Sequence, residues 1–121
     1  MAITVYGIKN CNTMKKAFDK LGQMGVAYEF FDYKKQVLSA EQFAQFVAIF
    51  GEKVINKQGT TYRKLDDDQK AMIAKLGTAD DLTAVHDIVK ANQSVLKRPI
   101  ILGGSEPVLG FDDEFYQTVF G

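Results

Sequence analysis

The chain has 121 residues, 46% of them hydrophobic and 25% charged, the make-up of one globular domain with a real core rather than of two independent ones. Lys and Arg number 15, as do Asp and Glu, so the formal net charge is zero and no electrostatic field favours nucleic acid or an anionic membrane surface. The opening Met1-Ala2-Ile3-Thr4 lacks a basic segment with a long apolar run behind it, and no stretch of about 18 apolar residues occurs anywhere, so a cytoplasmic protein without a membrane span is expected.

Residues 2 to 6 set Ile3 and Val5 against Thr4 and then meet Gly7, which predicts a short strand entering a turn. From Asn12 onward, Met14, Ala17, Phe18 and Leu21 fall at i, i+3, i+4 and i+7, the stripe of an amphipathic helix that Gly25 stops. The aromatic run Tyr28 to Tyr33 predicts a second strand, parallel to the first. Ser39 and Gln42 have capping-box spacing, and Phe43, Phe46, Val47 and Phe50 continue a helix to Gly51.

Residues 51 to 65 show no clear period. Gly59-Thr60-Thr61-Tyr62-Arg63-Lys64 is expected to be a polar loop with exposed recognition groups. Asp66, Asp67 and Asp68 favour a helix start, with Met72, Ile73 and Leu76 on its apolar side and Gly77 as its end. A further helix is predicted from about Thr78, carrying Leu82, Val85 and Val89 on one face. Its His86 is expected to be exposed or to cap the helix. Ile100-Ile101-Leu102 and Val108-Leu109 predict a hairpin, and Asp112 or Asp113 a last helix bearing Phe115, Val119 and Phe120. The order βαβ, helices, ββα is that of an α/β thioredoxin-like fold in a single domain, with a helical insertion over about 38–92 between the second and third strands. Phe30, Phe31, Phe43, Phe46 and Phe50 have strand and helix spacings and are expected to pack as core.

Cys11 is the one cysteine, so no internal disulfide can form, and with His86 as the one histidine no zinc cluster is expected. It stands between the first strand and the first helix. There a thiol faces unpaired amide N–H groups and the positive end of the helix dipole, both of which favour the thiolate. An ordinary free thiol is only about 3% ionised at pH 7, so such a position raises the reactive fraction considerably. Lys15 and Lys16 lie near the first turn, where a cation is opposed by the dipole. An anionic partner, either the thiolate or a carboxylate or oxyanion substrate, would compensate.

The run Gly7-Ile8-Lys9-Asn10-Cys11-Asn12-Thr13-Met14-Lys15-Lys16-Ala17 is followed by Asp32-Tyr33, then by Gly59 to Leu65, Lys97-Arg98-Pro99 and Leu109-Gly110-Phe111. Over essentially its whole length the chain resembles the ArsC/Spx family of thioredoxin-fold proteins, and within it the YffB-like branch. The resemblance implies that Cys11 is the nucleophile, that Arg98 matches an anion-binding arginine, and that Pro99 is a cis-proline beside the cysteine. Asn10 and Asn12, which flank the cysteine, join Lys15, Arg63, Arg98 and Pro99 in the implied substrate- and glutathione-binding set. Arg63 would substitute for an arginine that arsenate reductases carry where this chain has Asn56, and a planar guanidinium suits a carboxylate of glutathione.

The function these residues imply is a glutathione-dependent monothiol reductase in which Cys11 forms a mixed disulfide resolved by an external thiol. Glutathione would be a co-substrate rather than a bound cofactor, glutaredoxin a possible second partner, and the chain a monomer. Arsenate reduction proper is the alternative within the family. A non-catalytic, Spx-like protein-binding domain is the alternative outside enzymology, although Cys11-Asn12-Thr13-Met14 lacks the second cysteine of a Cys-x-x-Cys switch.

Overall fold

Alternation at the start of the chain becomes strand β1, Thr4–Gly7, in a computed structural model that describes residues 2–77 and 82–121. In chain order there follow helix α1 (Asn12–Gln23), β2 (Glu29–Asp32), α2 (Ala40–Phe50), α3 (Thr60–Arg63), α4 (Asp67–Ala74), α5 (Thr83–Ala91), β3 (Ile100–Leu102), β4 (Val108–Leu109) and α6 (Asp113–Phe120). Turns of 3-10 helix occupy Gly51–Val54 and Gln93–Val95. The chain divides into two compact units. One is Met1–Gln36 with Arg98–Gly121, the other Val37–Lys97, within which the predicted insertion falls.

The first unit holds a four-stranded sheet in the order β2-β1-β3-β4. β1 pairs parallel with β2, Val5 opposite Phe30, because α1 carries the chain back between them. β3 runs antiparallel to β1 with Ile101 opposite Val5, and β4 antiparallel to β3 with Val108 opposite Ile101. One sheet face thus presents Val5, Ile101 and Val108 to Met14, Ala17 and Leu21 of α1 and to Tyr116 and Val119 of α6, all of them buried. This is the thioredoxin-like arrangement. α1 stops as expected: Gly25 takes φ 69°, a left-handed value natural to glycine, and the Val26 N–H returns to the Leu21 carbonyl at 3.0 Å. An ion pair of 2.9 Å between Lys20 and Asp113 joins α1 to α6.

Gly7 closes β1 at a point with no room for a side chain. A Cβ there would meet the Sδ of fully buried Met14 and lie 2.6 Å from its Cε. Gly7→Ala is therefore expected to destabilise the protein by about 1–3 kcal/mol through overpacking, read as a lower Tm in thermal unfolding.

In the second unit the Ser39–Gln42 capping box opens α2: the Ser39 hydroxyl accepts the Gln42 N–H at 3.1 Å, and the Gln42 side chain accepts the Ser39 N–H at 2.9 Å. Asp66 and Gln69 form a second such box at the start of α4. Three expectations are corrected. Residues 51–65 are not irregular, because Thr60–Arg63 closes a helical turn through the Lys64 N–H to the Thr60 carbonyl (3.1 Å). Val54 and Ile55 are buried where Ile55 bridges antiparallel to Leu96. Met72 does not share the apolar side of α4 with Ile73 and Leu76; it is 39% exposed. His86 is buried, since its Nε2–H donates to the Leu38 carbonyl at 2.8 Å and its ring stacks on Phe43 with centroids 5.8 Å apart. Gln93 completes that arrangement by accepting the Leu38 N–H at 2.7 Å. The helix start predicted at Thr78 lies outside the described residues.

Candidate active site

The site is built where β1 hands over to α1. Ile8 is buried, Lys9 and Asn10 are exposed, and Cys11 becomes the N-cap of α1 with extended backbone (φ −145°, ψ 134°). A helix start leaves its first amides without intrahelical acceptors. Here the Thr13 and Met14 N–H groups lie beside the half-buried Cys11 sulfur, close enough to favour its anion although the side chain closes no regular capping hydrogen bond.

Arg98 reaches the same sulfur from the returning chain. Antiparallel pairing sets Ile100 opposite Tyr6, so the residues just before Ile100 arrive at the end of β1 from which Cys11 departs. The Arg98 stem passes Gly7, its Cβ 3.5 Å from the place a Gly7 Cβ would take, and its guanidinium donates to the Cys11 sulfur. Partial burial pushes the thiol up. The Met14 and Thr13 amides and then the hydrogen bond and charge of Arg98 outweigh it, so the Cys11 pKa lies below its ordinary value.

The Arg98–Pro99 peptide bond is cis, and Pro99 is buried with its carbonyl accepting the Gly110 N–H at 2.8 Å. The Tyr116 hydroxyl donates to the Gly110 carbonyl at 2.7 Å, tying α6 to the same turn. Asn10, Asn12 and Lys15 are exposed around Cys11 in the chain, while Arg63 is an exposed residue of the second unit. Cys11, Arg98 and Pro99 are thus assembled within the first unit alone.

Two contributors escaped the sequence reading. Met14 stands out there as a core residue, yet its amide serves the thiol as well as its side chain serves the core. Tyr33 is buried beside the site, its N–H donating to the Gly7 carbonyl at 2.8 Å. Burial and then neighbouring Tyr6 push its phenol far above the ordinary tyrosine range, against the pull of Arg98, so it stays neutral. The Asp32-Tyr33 pair at the end of an aromatic strand was the available signal. Chemically, the arrangement offers a thiol whose ionisation is favoured and a cation able to hold negative charge on a reacting group. Among the described residues there is no His/Cys/Asp/Glu group suited to a metal ion, and no helix long and apolar enough to cross a membrane.

Comparison with known proteins places these features. The model of the ArsC family matches residues 6–119. A protein of Haemophilus influenzae is 35% identical over 119 residues, 98% of each chain. Among solved structures, the YFFB (PA3664) protein is 35% identical with a TM-score of 0.83, over 99% of this chain and 100% of that one. An arsenate reductase (ArsC) related protein from Brucella melitensis is 36% identical with a TM-score of 0.66, over 98% and 93%.

Proposed function

The chain belongs to the ArsC family, and on that premise we propose that it is a glutathione-dependent monothiol reductase with Cys11 as its nucleophile. The observation that carries this reading is the Cys11 sulfur placed at the start of α1 beside the Thr13 and Met14 amides and Arg98, a setting that favours its thiolate. The Cys11 thiolate attacks one sulfur of a disulfide. A bond forms between the two sulfurs, and the other sulfur departs as a thiolate whose charge Arg98 helps to hold. Since Cys11 is the only cysteine, a thiolate from outside must cleave the resulting mixed disulfide and regenerate it. Reduced glutathione supplies that second sulfur in this proposal, with glutaredoxin as a further regenerant in a reducing cytoplasm.

Family membership supports arsenate as a second substrate, with Arg98 as the one anion-holding arginine that this site brings to the thiol. The two substrates are compared in one experiment. Reduced protein incubated with oxidised glutathione is expected to gain one glutathione per chain on Cys11, seen by intact mass. Its alkylation by iodoacetamide is expected to rise with pH through an inflection below that of an ordinary thiol. Arsenate added with reduced glutathione is expected to be consumed more slowly than the disulfide. Absence of the adduct, together with an alkylation profile like that of a free thiol, would overturn the proposal; faster turnover of arsenate would reassign the substrate.

A further inference from the structure

The first unit carries a cleft of about 350 Å³ lined by Lys9, Phe18, Tyr28 and Phe30, none of which the chemistry above employs. Its walls are three rings and one cation. Phe18 and Tyr28 stack with centroids 5.7 Å apart and planes 14° apart, and Phe30 stands at 90° to Phe18 at 5.2 Å. All three rings pack on the same cluster as Cys11. Burial also raises the Tyr28 phenol above its ordinary value, as a weakly hydrated wall would. Lys9 is exposed and is the only charged lining residue. Among the described residues no carboxylate pairs with it.

Position and charge together define an occupant. Lys9 lies two residues before Cys11, and Phe18 lies seven after it, about 10 Å along α1. A group held beside Phe18 while its own chain meets Cys11 is therefore on the order of 10 Å along α1 from its start, roughly three residues of extended peptide. Glutathione can reach that far along its γ-glutamyl arm but cannot set an apolar side chain among the rings. A longer peptide can, and an acidic one would give Lys9 the carboxylate it lacks.

Resting on the reductase reading, we propose that this cleft is a side-chain subsite for a glutathionylated peptide. It takes an aromatic side chain about three residues from the modified cysteine, with Lys9 engaging a carboxylate beside it. In the first step the Cys11 thiolate attacks the glutathione sulfur, the peptide leaves as a thiolate that takes up a proton, and Cys11 carries glutathione. In the second, a glutathione thiolate attacks that adduct, releasing oxidised glutathione and restoring the Cys11 thiolate. The peptide disulfide is reduced by two electrons and two glutathione sulfurs are joined.

The test uses nine-residue peptides with a central S-glutathionyl cysteine, phenylalanine at both third positions and aspartate at both ends. Controls carry glycine for phenylalanine or asparagine for aspartate, and hydroxyethyl disulfide reports the thiol chemistry alone. The phenylalanine peptide is expected to show a kcat/KM about fivefold above the glycine peptide, the scale of one aromatic contact. Tyr28→Ala is expected to erase that advantage and Lys9→Gln the preference for aspartate, with hydroxyethyl disulfide turned over as by the wild type. Equal values for the two peptides, or an advantage that survives Tyr28→Ala, overturn the subsite while turnover of hydroxyethyl disulfide leaves the reductase reading standing. Failure of the wild type on every disulfide overturns both. Lys9→Gln, at an exposed loop position, keeps the charge half of the test readable if Tyr28→Ala does not fold.

Discussion

Cys11→Ser is expected to abolish the glutathione adduct and to lower disulfide reduction by at least ~10³-fold. The serine hydroxyl fits the same space and can accept from the Thr13 and Met14 amides. It stays protonated near neutrality, however, so neither the amides nor Arg98 has an anion to stabilise. The remaining sulfur in the chain belongs to four methionines, whose thioethers cannot form a disulfide. Intact mass after exposure to oxidised glutathione and a coupled assay with hydroxyethyl disulfide check the result. A residual rate above about one tenth of wild type would place the nucleophile elsewhere. The substitution is nearly isosteric, so an unchanged far-ultraviolet spectrum is expected and separates lost chemistry from lost fold.

Arg98→Ala is expected to slow alkylation and disulfide reduction at pH 7 by on the order of tenfold, the low end of what one charge-assisted hydrogen bond contributes. The low end applies because the sulfur is half-exposed and solvent screens the pair. The effect has a sign in pH. The native thiol lies below its ordinary value, so the wild-type rate levels off at a lower pH than that of a free thiol. Removing Arg98 moves the inflection up, while the Met14 and Thr13 amides keep part of the shift. The two profiles therefore separate at neutral pH and converge at alkaline pH, where both thiols are ionised; parallel profiles would refute the assignment. The same shift is linked to stability. Between the native and unfolded thiol values the unfolded chain binds more protons, so this group's contribution grows as pH rises across that window and is lost as pH falls through the native value. In Arg98→Ala the window narrows.

Local signals were the legible ones. The stripe of Met14, Ala17 and Leu21 places α1, and the Ser39–Gln42 capping box read directly, because each depends on residues three or four apart; at α4 the acidic run marked the helix start, while its Asp66–Gln69 box came from the structure. The position of Cys11 at the helix start was equally legible, and with it the amide half of its activation. Arg98 was legible only through resemblance, since nothing local says that a residue before a proline meets a thiol on another strand; that follows from the β1–β3 register. His86 was misread for the same reason, its carbonyl partner Leu38 lying 48 residues away. Phe18 and Phe30 read as apolar core positions and Tyr28 as the start of a strand, yet all three are only partly buried, packed on the rim of the core cluster. Their joint wall with Lys9 needs the strand and helix brought side by side.

The distance in sequence between the two halves of the thiol's activation has a consequence for biosynthesis. Cys11 leaves the ribosome early, with β1, α1 and β2 close behind it, but Arg98 and β3 come almost at the end of the chain. At roughly 5–20 residues per second the nascent protein carries its cysteine for several seconds before the arginine exists. During that interval the thiol has at most its helix amides to ionise it, and full nucleophilicity arrives only when the last strands close on β1. Order of translation thus keeps the reactive sulfur muted while the chain is least able to shield it.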